Sequence, residues 1–292
     1  MRFKEVNNVK LRVWSSDEEE VLISDQHLNE CIEYINRHGI KMISVMDWHY
    51  KGKDLAFLRY CPPVEDVSLD SNFLEDTSGL YDLNRLRSLS LTELFVVDGG
   101  MEFDLSPFKE LESLSMYWSK KIKGIQELTN LKRLHLWKYA PKLANLEELS
   151  SLQCLEEMTI TQSKVRSLKG IQELKRLRKL ELNYLRTLTS IEGIEGLGSS
   201  LQHLDITSCK NIDDLDRTKT LSALEAFHLN ECGSITSLDF ITSLTKLKHF
   251  VFQGTNVLSG DVTPSFHIDY VYFDSKKHYS HKWKDIKKWT SQ

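Results

Sequence analysis

The sequence predicts an α/β repeat protein: a curved, horseshoe-shaped solenoid in which each repeat contributes one strand to a parallel sheet on the concave side. Two observations lead to this fold class. A six-residue frame with large apolar residues at its first, fourth and sixth places recurs from Val64 to Phe273, at intervals of 20–25 residues. A second apolar series falls between the frames, where the chain must turn back. One repeat of this size cannot bury its own apolar face, so repeats must stack, and the ends of the stack need caps.

Residues 1–63 do not follow the repeat and are predicted to form an N-terminal capping unit. The segments VKLRVW (9–14) and IKMISVMDW (40–48) are typical of strands. Between them, apolar residues at helical spacing predict a helix that has Asp25 as its N-cap and stops at Gly39. These apolar residues are Leu28, Cys31, Ile32 and Ile35. The alternative is that this segment is an independent functional domain.

Residues 64–273 are predicted to form the solenoid. In LQHLDI (201–206) and in each equivalent segment, alternate side chains of an extended strand face opposite ways, so the fourth and sixth residues point into the core. The third, fifth and seventh residues then face outward on the concave side. The frames begin at Val64, Leu86, Leu111, Leu131, Leu155, Leu177, Leu201, Leu224, Leu247 and Ile268.

The segments between the frames, such as IKGIQELTNL (122–131) and ITSLDFITSLTKL (235–247), are predicted to form short turns or single helical turns on the convex side. With these features the sequence resembles the leucine-rich repeat family, in particular its short internalin-like form with repeats of about 22 residues. The resemblance covers roughly 64–273. It implies the solenoid fold, but this fold serves many binding tasks, so it does not imply one particular function.

The sequence departs from the family pattern at the ninth place of the repeat, where the family usually has an Asn that satisfies backbone groups after the strand. Here the place is held by Leu94, Ser119, Tyr139, Ser163, Leu185, Cys209, Cys232 and Thr255. Small hydroxyl or thiol side chains can fill the same corner, and free Cys behaves as a small buried hydrophobe. We therefore expect Cys209 and Cys232 to be structural. The alternative is a reactive or bridged pair across neighbouring repeats.

Residues 274–292 are predicted to be a lysine-rich C-terminal cap or tail, since 275–292 contain six Lys against one Asp. An amphipathic helix with Trp283, Ile286 and Trp289 on one face would close the solenoid. The alternative is that the tail contacts a phosphate backbone or an acidic partner and uses its two Trp residues as anchors.

Composition is ordinary for a soluble folded protein: 292 residues are 40% hydrophobic and carry a formal net charge of −4. The charge gives no basic excess for nucleic-acid binding. Neither a secretory signal nor a run of about 18 apolar residues is present, so we expect a cytoplasmic protein without membrane contact. The five Cys lack any CxxC pair, which is typical of reduced thiols. We also expect a monomer.

No motif predicts catalysis, a metal or a cofactor. GIEGLG (193–198) contains glycines but lacks the Lys-Ser/Thr of a phosphate-binding loop, and there is no HExxH. HYSH (278–281) with His267 is a candidate metal site, but no carboxylate or thiol accompanies it at ligand spacing. We therefore expect no catalytic residue, no metal site and no cofactor.

The candidate partner-binding residues lie at the third, fifth, seventh and eighth places of the repeats, which form the concave face and its rim. They are Tyr117, Trp118, Arg133, His135, Trp137, Tyr184, His203, Asp205, His228 and Asn230. Aromatic rings beside an Arg are typical of binding hot spots, so we expect the group of Tyr117, Trp118, Trp137 and Tyr139 to contact a partner. The alternative is packing against a loop or the N-terminal unit.

Histidines also recur on the predicted concave face, at His135, His203, His228 and His249. They are too dispersed for a metal ladder, so we expect them to be ordinary polar residues of the surface. Their protonation would make partner binding sensitive to pH.

These features predict a non-catalytic scaffold that grips a folded protein partner on its concave sheet. Its layout, with a short N-terminal unit, internalin-like repeats and the ending YVYFDSKKHYSHKWKD (270–285), looks like stand-alone bacterial repeat proteins, some of which are immunity partners of toxins. The resemblance implies an inhibitor that occludes a toxin. The alternatives are a signalling or assembly adaptor, and a nucleic-acid binder that uses the lysine-rich tail.

Overall fold

A computed structural model describes residues 1–15, 18–92 and 102–286. The chain divides into two compact units, Met1–Leu131 and Lys132–Gln292. A strand occupies each of the ten predicted frames, so the repeat is confirmed. Leu94 and Trp289, for which we predicted a ladder and a cap position, lie outside the described residues. None of the described helices is long and apolar enough to cross a membrane.

The first unit is built on one sheet with the strand order β1-β2-β3-β4-β5-β6-β8. Two short strands, β7 and β9, pair with each other in a separate sheet. The pairs β1–β2 and β2–β3 are antiparallel, whereas the pairs from β3 to β8 are parallel. The strands are β1 (Arg2–Val6), β2 (Val9–Val13), β3 (Glu19–Leu22), β4 (Met42–Met46), β5 (Asp66–Asp70), β6 (Ser88–Leu91), β7 (Phe103–Asp104), β8 (Ser113–Tyr117) and β9 (Ile122–Lys123).

The N-terminal helix α1 (Leu28–His38) is confirmed, but its predicted start is wrong. His27 occupies the N-cap position, and the carboxylate of Asp25 instead accepts a hydrogen bond from the backbone N–H of Lys51 at 3.0 Å. At the other end, Gly39 adopts the left-handed conformation at φ 63° and donates its N–H to Ile35, as expected for a helix stop. Two strands absent from the prediction, β1 and β3, flank β2.

The second unit is a regular stack. Its sheet has the order β10-β11-β12-β13-β14-β16-β18 with every pair parallel, and β15 and β17 form a short side pair. The elements are β10 (Arg133–Trp137), β11 (Glu157–Thr161), β12 (Lys179–Asn183), β13 (His203–Thr207), β14 (Ala226–Asn230), β15 (Ser234–Ile235), β16 (His249–Val251), β17 (Asn256–Val257), β18 (Tyr270–Tyr272) and the short helix α2 (Trp283–Ile286).

The core of the second unit follows the frame. In the frame that contains β13, the residues at the fourth and sixth places are Leu204 and Ile206. Both are buried against their register partners Leu180 and Leu182 in β12. Single 3₁₀ turns close the other side, as predicted, at Glu147–Leu149, Ile171–Glu173, Ile194–Leu197, Leu215–Thr220, Asp239–Ser243 and Thr263–Ser265. The first five of these turns each bury one or two apolar residues, so their repeats each add an apolar layer, whereas the sixth buries only Ser265.

The ninth-place residues form a buried ladder in the second unit. The thiols of Cys209 and Cys232 donate to the backbone carbonyls of Leu182 and Ile206 at 3.4 and 3.2 Å, and the hydroxyl of Thr255 donates to Leu229. Each bond joins a ninth place to the sixth place of the preceding repeat. All five Cys are free thiols, so the structural assignment of Cys209 and Cys232 is confirmed and the bridged alternative is wrong.

The C-terminal segment closes the second sheet. The indole Nε1 of Trp283 donates to the backbone carbonyl of Val271 in the edge strand β18 at 2.7 Å, and Ile286 is buried. The neighbouring Lys282 and Lys284 are exposed, as the amphipathic pattern predicts. Within the described residues the helix is a single turn, and its indole satisfies an edge carbonyl that would otherwise face water.

Candidate functional site

In the seven parallel strands of the second unit's sheet, the residues at the third and fifth places of the repeat frame lie on one face, and in β10–β14 the seventh-place residues lie there too; we call this surface the open face. Parallel register places equivalent residues side by side, so the face consists of straight rows. The third-place row is mostly exposed, whereas the fifth- and seventh-place rows are half-buried. From β10 to β14, the residues of the third-place row are Arg133, Glu157, Lys179, His203 and Ala226.

Strand β10 carries an aromatic and basic group on the open face. The imidazole of His135 stacks on the indole of Trp137, with ring centroids 3.3 Å apart and planes at 26°, and its Nε2 lies 3.3 Å from the hydroxyl of Thr161. Burial lowers the pKa of His135 to about 4, so this ring is neutral at pH 7 and supports the indole rather than carrying charge. Arg133 is exposed two residues before His135 and has no ion-pair or hydrogen-bond partner among the described residues.

Polar groups deeper on the open face bind one another. Asp205 accepts a hydrogen bond from the hydroxyl of Thr207 at 2.9 Å, and its other oxygen lies 3.1 Å from Nδ1 of His228. Burial opposes ionisation of Asp205, but the bonds to His228 and Thr207 outweigh it and lower its pKa. On β12, Lys179 and Glu181 form an ion pair of 2.7 Å. The face is therefore held in one arrangement before a partner arrives.

One acceptor on this face is left without a bond. The side-chain oxygen of Asn230, in the seventh-place row, is buried and has no hydrogen-bond partner among the described residues. A buried polar atom without a partner costs about 1–3 kcal/mol, so a donor supplied from outside would be favourable there. His203, in the third-place row, is exposed and available for contact.

Tyr184 follows β12 at the rim of the open face and is 49% exposed. Its φ of 59° lies in the left-handed region, and its N–H donates to the carbonyl of Thr207 in the next strand. The residues after the other strands repeat this conformation, at Lys138, Gln162, Ser208 and Glu231. The turn therefore directs each eighth-place side chain outward and each ninth-place side chain inward.

Not all predicted aromatic residues reach a surface. Tyr139 is completely buried, and its hydroxyl lies 3.4 Å from a carboxylate oxygen of Glu148, so the expectation that it contacts a partner is wrong. Its ninth place explains this, because that place points into the core. Tyr117 and Trp118, at the end of β8 in the first unit, are half-buried and stay predictions as contact residues.

Sequence reasoning missed two open-face aromatics on β18. Tyr270 is 49% exposed and its ring centroid lies 5.8 Å from that of His249, while Tyr272 packs edge-on against Trp283. The signal was available, because Tyr270 and Tyr272 hold the third and fifth places of the frame IDYVYF.

The candidate metal residues are used otherwise. Nε2 of His278 lies 3.0 Å from the backbone carbonyl of Val257, and the ring of His281 packs edge-on against Phe266. In the ranges 1–15, 18–92 and 102–286, no group of three or more His, Cys, Asp or Glu residues is placed to hold a metal ion.

Comparison with known proteins gives structural matches alone. No protein-family model matches the sequence, and neither does any curated protein. An internalin (inlF) from Listeria monocytogenes is 18% identical over 88% of this chain and 87% of its own, with a TM-score of 0.47. An internalin C2 from the same organism is 20% identical over 75% of this chain and 83% of its own, with a TM-score of 0.45.

The TLR13 chain of a TLR13–ssRNA13 complex is 16% identical and has a TM-score of 0.55 over 80% of this chain and 39% of its own. A strand in every frame, 3₁₀ turns between the strands and a buried ninth-place ladder agree with this match in fold. The chain therefore has the fold of a leucine-rich repeat solenoid, with repeats of 20–25 residues.

Proposed function

We propose that the protein is a non-catalytic scaffold that binds a folded protein partner on the open face of its second unit. The observation that carries the proposal is the arrangement on β10, where the unpaired, exposed Arg133 lies on the same face as Trp137, whose ring is held by His135. Trp and Arg are the residues most enriched at binding hot spots. An indole that is already fixed loses little conformational entropy on binding.

The dimensions of the open face suit a protein rather than a small ligand. The strands from β10 to β18 are separated by six spacings of about 4.8 Å, and seven residues of each repeat span about 23 Å along the strands. The product is about 670 Å², close to the roughly 800 Å² that each partner contributes to a standard protein interface. The pairs Lys179–Glu181 and Asp205–His228 already satisfy each other's charges. They would therefore contribute to the fit with the partner's surface rather than to the binding energy.

The partner that we propose is a toxin, which the scaffold would inhibit by covering its active site. The layout of a short N-terminal unit followed by internalin-like repeats supports this choice, and the proposal includes action as a monomer in the cytoplasm. A signalling or assembly adaptor is the alternative. Toxicity distinguishes them: a captured toxin arrests growth when expressed alone and is neutralised by co-expression of the scaffold, whereas an adaptor client is harmless.

The test of the binding face compares Trp137→Ala and Arg133→Ala with Lys169→Ala. Lys169 is a matched control because it forms an exposed ion pair with Glu147, outside the open face, and exposed pairs contribute about 0.2–1 kcal/mol. With a partner captured from the native host, isothermal titration should show a loss of about 2 kcal/mol or more for Trp137→Ala, roughly 30-fold in Kd, and little change for Lys169→Ala. Thermal unfolding of each variant must be measured alongside. Unchanged affinity in a stably folded Trp137→Ala protein would contradict the proposal.

A further inference from the structure

The sheet of the first unit ends in an open edge strand. Within residues 1–15, 18–92 and 102–286, β1 pairs only with β2, in a register that runs from Arg2↔Val13 to Val6↔Val9. Asn7 and Asn8 close this hairpin with φ values of 49° and 67°, the left-handed geometry of a type I′ turn.

The hairpin geometry decides which backbone groups of β1 face outward. In a hairpin closed by two residues, the flanking pair exchanges both hydrogen bonds, so Arg2, Lys4 and Val6 bond to β2. The N–H and C=O groups of Phe3 and Glu5 therefore point away from the sheet. No described residue forms a backbone hydrogen bond to either of them. The edge of β18, in contrast, is covered by Trp283.

An apolar surface lies beside this open edge. The guanidinium of Arg12 is 5.7 Å from the ring centroid of Phe3 and 5.6 Å from that of Trp14, and it is anchored by a 3.0 Å ion pair to Glu20. Phe3 is nevertheless 62% exposed. It lies at the rim of a groove of about 520 Å³ whose other lining residues include Leu22, Met46 and the exposed Trp48. The groove is therefore able to receive an apolar side chain.

The charges of the hairpin are unbalanced. β1 and β2 carry Arg2, Lys4, Lys10 and Arg12 against a single acid, Glu5. Lys4 and Arg12 are neutralised by ion pairs with Glu19 and Glu20 of β3. Arg2 and Lys10 have no ion pair in the described part of the chain. This excess of positive charge favours an acidic occupant.

We propose that β1 binds an extended acidic segment of a partner protein by strand addition, with the outward N–H and C=O groups of Phe3 and Glu5 supplying the main-chain hydrogen bonds. Side chains of the added strand alternate between faces. Apolar residues would lie beside Phe3 and over the groove, and acidic residues would lie beside the unpaired Arg2 on the other face. This surface goes beyond the open face of the second unit and does not depend on it.

A second copy of the chain is a poor occupant. Antiparallel pairing of β1 with itself around Lys4 places Lys4 opposite Lys4, and pairing around Phe3 places Arg2 opposite Lys4. Pairing around Glu5 places Glu5 opposite Glu5. Each register therefore sets like charges directly opposite each other, which is destabilising and is a common protection of edge strands.

The test uses the full chain and a short peptide that alternates Glu and Val, with a peptide of the same composition but all Glu residues first as the reference. Glu5→Pro removes an outward N–H and no bond to β2, while Glu5→Ala keeps the N–H and is the matched control. We expect the alternating peptide to bind at least tenfold more tightly than the reference peptide. Glu5→Pro should lose at least tenfold of this affinity, and Glu5→Ala should keep it.

Two further measurements separate strand addition from simple charge attraction. Hydrogen exchange by NMR should show the amides of Phe3 and Glu5 becoming protected when the alternating peptide is added. Arg2→Glu should weaken binding of this peptide and strengthen binding of a Lys–Val analogue. Thermal unfolding checks that each variant is folded. Equal binding of both peptides, unchanged affinity in Glu5→Pro, no binding to wild type, or a concentration-dependent dimer that Glu5→Pro abolishes would each overturn the proposal.

Discussion

Leu204 and its neighbour His203 test the alternation on which both the core and the open face depend. Leu204 is 2% exposed and lies in register between Leu180 and Phe227 of the adjacent strands. His203 is exposed on the opposite face of the same strand. Identical substitutions at these two positions should therefore have very different effects on stability.

The magnitudes follow from burial. Leu204→Ala removes buried apolar surface and leaves a cavity, which costs about 2–5 kcal/mol. Leu204→Asp also buries a carboxyl group. Desolvation of this group costs about 1–3 kcal/mol even if the group is protonated, so the total loss of stability is about 3–8 kcal/mol. That total is comparable to the whole stability of a typical domain, about 5–15 kcal/mol. His203→Asp should change stability by no more than about 0.5 kcal/mol.

Thermal unfolding followed by circular dichroism measures these differences. For a unit of this size 1 kcal/mol shifts Tm by about 2–4 °C, so Leu204→Ala should lower Tm by about 4–20 °C and His203→Asp by less than about 2 °C. Leu204→Ala keeps the test informative where Leu204→Asp fails to fold. Similar shifts for His203→Asp and Leu204→Asp would refute the assignment of faces, since a slip of one residue exchanges them.

Two other predictions follow from buried ionisable groups. Burial raises the pKa of the Cys209 and Cys232 thiols to about 12 and about 11. At pH 8, a disulfide reagent should therefore modify the half-exposed Cys154 in the native protein, and the four buried thiols only after denaturation. Rapid modification of the native Cys154→Ser variant would contradict this. The lowered pKa of Asp205 means that its contribution to stability is present above its unfolded value and is lost as the pH falls through the folded value, below about pH 4. The free energy of unfolding, measured with urea, should therefore fall more steeply towards pH 3 in wild type than in Asp205→Asn. Parallel pH curves for the two proteins would argue against this contribution of Asp205.

Strand positions in the repeats were predictable because three apolar places at a fixed spacing recur many times. Where one segment is ambiguous, the spacing of the neighbouring repeats shows where its strand lies. The N-terminal unit offers no such redundancy. β1 (RFKEV) mixes charges with apolar residues without clean alternation, and β3 (EEVL) is short. The start of α1 was missed for a tertiary reason, because the loop at Lys51 takes the carboxylate of Asp25 that would otherwise cap the helix.

For the open face, the frame predicted which residues share a surface but not what they do to one another. The stack of His135 on Trp137 needs side-chain torsions that spacing does not specify, and it changes His135 from a candidate pH sensor into a neutral support. The pair Asp205–His228 likewise depends on a register between two strands. Tyr139 shows the opposite error, since an aromatic side chain was assigned to a surface although its ninth place already predicted burial.

The ladder explains how this fold forms here without the Asn that is usual at the ninth place of leucine-rich repeats. What the fold requires there is a side chain that fits the buried corner, and a side chain with a donor can also bond to the carbonyl at the sixth place of the preceding repeat. Thiols meet this need at Cys209 and Cys232, and a hydroxyl meets it at Thr255. Leu185 is buried at the same place without a polar group. Because the buried fourth, sixth and ninth places carry the stability, the third, fifth and seventh places are free to vary, and it is there that our proposal locates specificity for the partner of the open face.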